Sequence, residues 1–165
     1  MNLVGIGYDI HAFAQPEQQR KLVLGGVEIA HPVGLEGHSD ADVLCHAIAD
    51  AILGAIGEAD IGHHFPNTDE SIRGISSLEI VRRSVQLAVE QGGRIVNIDS
   101  TLIAEAPKIG PHLVAMRANL AAALGIDPKR VGIKATTNER LGTIGREEGI
   151  AAMAVASVEI KEEVY

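Results

Sequence analysis

The stretch Ser39–Ile56, "SDADVLCHAIADAILGAI", decides the fold, because the spacing of apolar residues changes there from that of strands to that of a helix. Ser39 is the expected N-cap, and Asp42, three residues later, stands where the second residue of a capping box would be. The helix is expected to end near Gly57. A helix that follows strand-like segments indicates a mixed α/β fold.

Strand and helix patterns alternate along the rest of the chain. Strands are predicted for "LVGIGYDI" (3–10), "KLVLGGVEI" (21–29), "RIVNIDSTLIAE" (94–105), "RVGIKATT" (130–137) and "GIAAMAVASVEIK" (149–161). Gly25 and Gly26 interrupt the second strand and indicate a tight turn or a bulge. Further helices are predicted for "SSLEIVRRSVQLAVEQGG" (76–93) and "GPHLVAMRANLAAALG" (110–125). We therefore expect an α/β sandwich, with a four- to five-stranded sheet and about three helices covering one face.

Composition and charge limit the possible functions. The 165 residues suit a single domain, 1–165. The net charge of −8 repels nucleic acids, and two Phe, two Tyr and no Trp leave few rings on which bases could stack. Both features argue against nucleic-acid binding. The lone Cys45 cannot form an internal disulfide. There is no pattern of a signal peptide and no apolar run near the ~20 residues that span a bilayer. The sequence predicts a cytoplasmic protein.

Two groups of polar residues have the spacing of metal ligands. Asp9 and His11 lie two apart on a predicted strand and so share a face, and Asp42, His46 and Asp50 form one stripe along the first helix. Three ligands, Asp9, His11 and His46, would leave the fourth tetrahedral position of Zn²⁺ open, as in catalytic zinc sites. Two alternatives without metal remain. Asp9 and His11 are then turn residues at a strand end, and His46 is a helix histidine held by a hydrogen bond.

Three loops contain further candidates for ligand contacts. Lys108 precedes a helix start and can serve as a point charge for phosphate. Thr136 and Thr137 offer hydroxyls, and Glu139 offers a carboxylate for Mg²⁺ or Mn²⁺. The loop "DIGHHFPNTD" (60–69) is equally compatible with surface polarity. The P-loop pattern of many ATPases is absent, and 37–41 matches the G-x-S-x-G elbow of hydrolases only loosely.

Seven segments, in order, resemble the 2-C-methyl-D-erythritol 2,4-cyclodiphosphate synthase family of the non-mevalonate isoprenoid pathway. They are "GIGYDIHAF", "LGGVEI", "GHSDADVLCHAIADAILGA", "DIGHHFPNTD", "IAEAPKIGPH", "KATTNERLG" and "GREEGIA". The resemblance implies a phosphorus-oxygen lyase, in which the 2-phosphate of 4-diphosphocytidyl-2-C-methyl-D-erythritol 2-phosphate attacks the β-phosphorus and expels CMP. It also implies a homotrimer with active sites between subunits.

The resemblance assigns roles to individual residues. It implies that Asp9, His11 and His46 bind Zn²⁺, that Glu139 helps to hold Mg²⁺ or Mn²⁺ at the diphosphate, and that His38 and Thr137 act in catalysis. The substrate-binding positions that it implies are Asp9, Ile10, His11, His38, Ser39, Asp60, Ile61, Gly62, Phe65, Pro66, Asn67, Thr68, Asp69, Ala104, Glu105, Ala106, Pro107, Lys108, Ile109, Gly110, Thr136, Thr137, Asn138, Glu139, Thr143 and Arg146. Of these, 104–110 would form the cytosine pocket, and Asp60 would bind the erythritol hydroxyls.

Some residues depart from the family pattern, and two other function classes remain open. Asn67 stands where the family often has Asp, Thr143 where it often has an aromatic residue, and Glu147 where it has Gly. A zinc-dependent phosphohydrolase would use the same three ligands to activate water. A non-catalytic trimeric protein would bind metal or nucleotide without turnover.

Overall fold

A four-stranded sheet organises the computed structural model, which describes residues 1–160. In spatial order the strands are β1 (Asn2–Ala12), β6 (Gly149–Ile160), β4 (Gly93–Ile103) and β5 (Val131–Thr136). β6 pairs antiparallel with both β1 and β4, and β4 pairs parallel with β5. The strands β1, β4 and β5 therefore run in one direction, and their carboxyl ends lie along the same edge of the sheet.

The second predicted strand forms a separate hairpin and does not join the sheet. Its halves are β2 (Leu22–Leu24) and β3 (Val27–Ile29), which pair only with each other. Gly25 and Gly26 both have positive φ, as a two-residue hairpin turn requires. The turn that the two glycines indicated is confirmed, and the main sheet has four strands because β2 and β3 pair with each other and not with its strands.

Three long helices cover one face of the sheet, as predicted. They are α1 (Val43–Ala55), α3 (Ser77–Glu90) and α4 (Leu113–Leu124), and two single-turn helices, α2 (Ile61–His64) and α5 (Gly142–Gly145), lie in connecting segments. Helix α1 contacts β1 and β6, α3 contacts α1 and β4, and α4 contacts β5. None of the helices in residues 1–160 is both long and apolar enough to cross a membrane. The last predicted strand residue, Lys161, lies outside the described residues.

Helix α1 begins later than the sequence predicted. Ala41 has a φ of 58°, a left-handed conformation that no α-helix contains, so the helix cannot start at Ser39. Asp42 is the N-cap instead, and its Oδ1 accepts a hydrogen bond from the Cys45 amide at 3.2 Å. Its Oδ2 accepts from the Gly26 amide at 2.7 Å, which ties the hairpin to the helix start.

Two glycines set the distance between α1 and β1. A Cβ atom on Gly5 would lie 2.0 Å from the Ala51 carbonyl oxygen, and one on Gly7 would lie 1.9 Å from that of Ala47. Only glycine permits so close an approach of backbone to backbone. The helix is consequently held against the strand that carries Asp9 and His11.

On the opposite face of the sheet, β1 and β6 carry apolar side chains that no other element of residues 1–160 covers. Val4, Ile6 and Tyr8 on β1 are 67%, 66% and 54% exposed, and Met153 and Val155 on the neighbouring β6 are both 42% exposed. The pairing register brings Ile6 beside Val155 and Tyr8 beside Met153, so these side chains form one patch. A continuous apolar patch of this kind marks an interaction surface.

Candidate active site

Asp9, His11 and His46 meet where β1 ends against α1. Asp9 Oδ2 lies 2.9 Å from His11 Nε2 and 3.0 Å from His46 Nδ1, and the two ring nitrogens are 3.1 Å apart. Among residues 1–160, these three side chains are the group whose ligand atoms lie close enough together to hold one metal ion. The spacing along β1 and the position on α1 predicted this meeting correctly.

Hydrogen bonds orient both imidazole rings toward the cluster. His11 Nδ1 donates to the Glu36 carbonyl oxygen, which leaves Nε2 to face Asp9. His46 Nε2 lies 3.1 Å from Ser39 Oγ and 3.0 Å from Ser77 Oγ, which leaves Nδ1 to face Asp9. Each ring therefore presents one free nitrogen to the same point, as histidine ligands of metals do.

The separations of the three ligand atoms fit a divalent metal. Atoms bound to one tetrahedral zinc at ~2.0–2.1 Å lie about 3.3 Å apart, close to the observed 2.9–3.1 Å. Two unprotonated ring nitrogens and a carboxylate oxygen repel one another at these distances unless a cation or shared protons lie between them. The cluster thus has the donor set and the spacing to hold a divalent metal.

The same proximity shifts the acid–base properties of the cluster. Burial raises the pKa of Asp9, but the hydrogen bonds and charges of His11 and His46 outweigh it, so that this pKa lies well below its usual range. Burial lowers the pKa of His11, but its contact with Asp9 outweighs that effect and raises the pKa above its ordinary value. Asp9 is therefore the anionic member of the cluster at neutral pH.

A cavity of about 580 Å³ opens over the cluster. Of the predicted site residues, those that line it are Asp9, His11, His38, Ser39, His46, Ile61, Gly62, Phe65, Pro66, Asn67 and Thr68. The sequence reasoning missed Gly37, Ile72, Ile75 and Ile80, which also line it. The three isoleucines follow the polar loop in the sequence and carry no chemical signal of their own. The cavity has a polar, metal-ligating floor and an apolar wall.

Four other predicted residues lie near this cavity without lining it. Ile10 is on the sheet face away from α1 and is 44% exposed. Asp60 caps α2 by accepting from the His63 amide, and the Asp69 carbonyl oxygen lies 3.2 Å from His38 Nε2. Asp50, which shares a helix stripe with His46, accepts from the Ile61 amide at 2.8 Å. Asp50 and Asp60 thus both hold the start of α2, which forms one side of the cavity.

A second cavity, of about 420 Å³, lies at the carboxyl ends of β4 and β5. The predicted residues that line it are Ala104, Glu105, Pro107, Lys108, Ile109, Gly110, Thr136 and Thr137, and Pro111 and Ala135 were missed. Ala106 belongs to the same segment but does not line the cavity. The predicted nucleotide segment and the threonines after β5 are therefore neighbours in space.

A short turn after β5 positions Glu139 beside this second cavity. Glu139 and Arg140 both have positive φ, and the Glu105 carboxylate holds the turn by accepting from the amides of Asn138 and Arg140, each at 3.0 Å. Thr137 Oγ1 accepts from the Glu139 amide at 3.3 Å. The Glu139 carboxylate is exposed and available to a cation.

Thr143 and Arg146 lie farther along, in and just after α5, and line neither cavity. Arg146 Nε donates to Glu148 Oε1 at 2.6 Å, and its side chain is 60% exposed. The structure does not bring these two residues to the metal-ligand cluster of the same chain.

Within one chain the two cavities are well separated. The register aligns Ile10, Ala151, Ile103 and Thr136 in one row across the sheet. The ends of β1 and β5 are three strand spacings apart, or about 14 Å. Both cavities open at the same edge of the sheet but at its opposite ends.

Comparison with known proteins identifies the family. The model of the YgbB family matches residues 2–159. A 2-C-methyl-D-erythritol 2,4-cyclodiphosphate synthase from Akkermansia muciniphila is 62% identical over 162 residues, which are 98% of this chain and 95% of the relative. The chain belongs to this synthase family. Its function is accordingly cyclodiphosphate synthesis, and the phosphohydrolase and binding-protein alternatives are not favoured.

Solved structures of the synthase family share the fold. The bifunctional IspDF from Campylobacter jejuni superposes with a TM-score of 0.91 at 39% identity, over 98% of this chain but only 43% of that one. IspF from Plasmodium falciparum, solved as a CDP complex, gives a TM-score of 0.84 at 34% identity, over 98% of this chain and 97% of that one. The hydrolase elbow is not supported, because Ser39 lies in a loop and α1 begins only at Val43, so Ser39 is not on a sharp turn between a strand and a helix.

Proposed function

We propose that the protein converts 4-diphosphocytidyl-2-C-methyl-D-erythritol 2-phosphate into 2-C-methyl-D-erythritol 2,4-cyclodiphosphate and CMP. The observation that supports this most directly is the three-ligand cluster at the floor of the larger cavity, in a chain of the synthase family. An oxygen of the 2-phosphate forms a bond to the β-phosphorus, and the bond from that phosphorus to the oxygen bridging to the α-phosphate breaks. CMP leaves with the bridging oxygen, so no water and no nucleophilic side chain take part.

The protein's own residues position the substrate and supply hydrogen-bond donors. The segment 61–68 and the isoleucine wall of the larger cavity enclose the erythritol phosphate and limit its conformations. His38 on that cavity and Thr137 on the second are the proposed donors to the phosphoryl oxygens as charge shifts toward CMP. Asp60 is the proposed partner of the erythritol hydroxyls.

We assign Asp9, His11 and His46 to zinc, and Glu139 to Mg²⁺ or Mn²⁺. One carboxylate and two imidazoles form a donor set typical of catalytic zinc, and an exposed carboxylate beside a phosphate cavity suits a harder cation. When bound, such ions neutralise charge on the phosphoryl oxygens and so favour the displacement.

The second cavity is the proposed site of the cytidine diphosphate. Its lining of small residues and backbone groups suits hydrogen bonding to a base edge, and Lys108 brings a positive charge to the phosphates. The Plasmodium falciparum relative that shares the fold is described as a CDP complex. Thr136, Asn138 and Glu139 would then contact the diphosphate.

We propose that three copies assemble through the uncovered sheet face, with the zinc cluster of one subunit facing the nucleotide cavity of the next. Two observations support this arrangement. The exposed patch of β1 and β6 is apolar, and within one chain the ends of β1 and β5, beside which the two cavities lie, are about 14 Å apart along the sheet edge. Mixing His46→Ala and Thr137→Ala subunits should restore activity, because some mixed interfaces contain both intact halves. Two variants that stay inactive after exchange would contradict shared sites.

Reaction in H₂¹⁸O separates the synthase from a phosphohydrolase. Intramolecular attack incorporates no solvent oxygen, so mass spectrometry should find unlabelled CMP and an unlabelled cyclic diphosphate in equal amounts. One ¹⁸O atom per turnover in a linear product would contradict the proposal.

We place the reaction in the cytoplasm, since the buried Cys45 is a free thiol.

A further inference from the structure

A chain of hydrogen bonds leads from the metal-ligand cluster to Asp40. Ser77, the first residue of α3, is fully buried and lies with its Oγ 3.0 Å from His46 Nε2. The Asp40 carboxylate accepts two hydrogen bonds from Ser77. Oδ1 accepts from the Ser77 hydroxyl, and Oδ2 accepts from the Ser77 amide at 3.1 Å. None of the candidate ligands or substrate contacts includes Asp40 or Ser77.

The direction of each proton along this chain follows from chemistry. A carboxylate can only accept, so the Ser77 hydroxyl donates its proton to Asp40 and turns its lone pairs toward His46. The Ser39 hydroxyl oxygen, 3.1 Å from His46 Nε2, accepts from the Ala41 amide at 3.0 Å, and it can donate its own proton to Ser77 Oγ, 3.3 Å away. In that arrangement both hydroxyl oxygens accept from Nε2, which favours a ring proton there.

From this geometry we propose that Asp40 is a positioning residue that acts through Ser77 to hold His46 as the Nε2–H tautomer. The inference rests on the proposed zinc site, and it adds the group that prepares one of its ligands. With the proton on Nε2, Nδ1 would keep its lone pair for a metal bound beside Asp9 and His11. Without metal, Nδ1 lies 3.0 Å from the Asp9 carboxylate, which favours a proton on Nδ1, so Ser77 and Asp40 act against Asp9. The opposite tautomer would place a proton in the coordination position.

Zinc affinity and histidine tautomer are the two measurements that test this role. Zinc dissociation constants come from competition with a chromophoric chelator for the wild type, Ser77→Ala and Asp40→Asn. Loss of a partner that orients a metal-bound histidine weakens metal binding ~10–100-fold, which is the expected effect of either variant. Long-range ¹⁵N–¹H NMR of the metal-free proteins at alkaline pH reads the tautomer directly. We expect a larger share of the Nε2–H tautomer in the wild type than in either variant, because the variants keep Asp9, which favours Nδ1–H, and lose the Asp40–Ser77 contact that opposes it.

Ser84→Ala is the matched control. Ser84 is also fully buried on α3, but its hydroxyl donates to the Ile80 carbonyl oxygen at 3.0 Å and has no link to His46. It should keep zinc affinity within about twofold of the wild type and keep the wild-type tautomer. Ser77→Ala retains the backbone amide that donates to Asp40, so this anchor of α3 remains in place.

Each result supports or overturns the role. Wild-type affinity and tautomer in both Ser77→Ala and Asp40→Asn would overturn it, while zinc binding by the wild type would still stand. Failure of the wild type to bind zinc would instead overturn the metal centre, and with it this inference. An equal loss of affinity in Ser84→Ala would show that only the packing of α3 matters, and would also overturn the role.

Discussion

The Nδ1 atom of His46 lies 3.0 Å from the Oδ2 atom of Asp9, although 37 residues separate the two along the chain. Helix α1 brings them together because Gly5 and Gly7 let its backbone contact that of β1. The metal centre thus depends on the packing of one helix on one strand. The predictions that follow test the centre, the packing beneath it and the surfaces around it.

Replacing His46 with Ala should remove most of the bound zinc. The change deletes one of three ligands, so we expect activity to fall by more than the ~100-fold that loss of a supporting hydrogen bond can cost. His63→Ala is the control, because His63 is exposed and does not line the larger cavity. Metal analysis and a steady-state assay measure both effects. Full zinc content and activity in His46→Ala would rule out the assigned ligand.

Replacing Glu139 with Gln should raise the Mg²⁺ concentration needed for half-maximal activity. The amide keeps the size of the side chain but removes the charge that a hard cation prefers. Zinc content should stay unchanged, since Glu139 lies beside the other cavity. Glu17→Gln, an exposed change at a residue that lines neither cavity, provides the control. A Mg²⁺ titration that matches the wild type would argue against the role of Glu139.

Replacing Gly7 with Ala should destabilise the fold and weaken zinc binding together. The new Cβ would lie 1.9 Å from the Ala47 carbonyl oxygen, so α1 must move away from β1. We expect a cost of about 3 kcal/mol or more, at the upper end of overpacking. Gly110→Ala, where a Cβ meets nothing within 4 Å, should change the melting temperature little. Equal melting temperatures for the two variants would contradict this account of the glycines.

Replacing Ile6 with Asp should break the proposed trimer. Ile6 is 66% exposed at the middle of the apolar patch, where a charge would be buried by association. Val114→Asp is the control, since Val114 is 78% exposed on α4, on the side of the sheet away from the patch. Light scattering after gel filtration measures the mass. A wild type that elutes as a monomer, or an Ile6→Asp variant that stays trimeric, would contradict the arrangement.

Local sequence signals predicted well those elements that the residue pattern of a single segment defines. The apolar spacing of α1 and α3 and the β-branched run of β4 matched the structure within a few residues. The hairpin at Gly25–Gly26 was read as part of the sheet, because periodicity does not reveal which strand a segment pairs with. Ser39 was read as the cap of α1 because propensity alone does not show the left-handed Ala41.

The site was predictable only where chemistry and spacing coincide. Asp9, His11 and His46 were predicted as metal ligands because their side chains are of the right type and two of them share a strand face, and the family resemblance favoured this over the alternatives without metal. Ile72, Ile75 and Ile80 were missed, since an isoleucine that lines a cavity looks like any core residue. Ser77 was not among the predicted site residues, because its contact with His46 spans 31 residues and exists only in the folded chain.

Phosphorus NMR with 4-diphosphocytidyl-2-C-methyl-D-erythritol 2-phosphate and Mg²⁺, with and without a zinc chelator, tests the central claim most directly. The account predicts that CMP and a cyclic diphosphate appear in equal amounts, and that the chelator abolishes both signals until zinc is restored. Unchanged substrate with folded, zinc-loaded protein, or linear phosphate products, would contradict it.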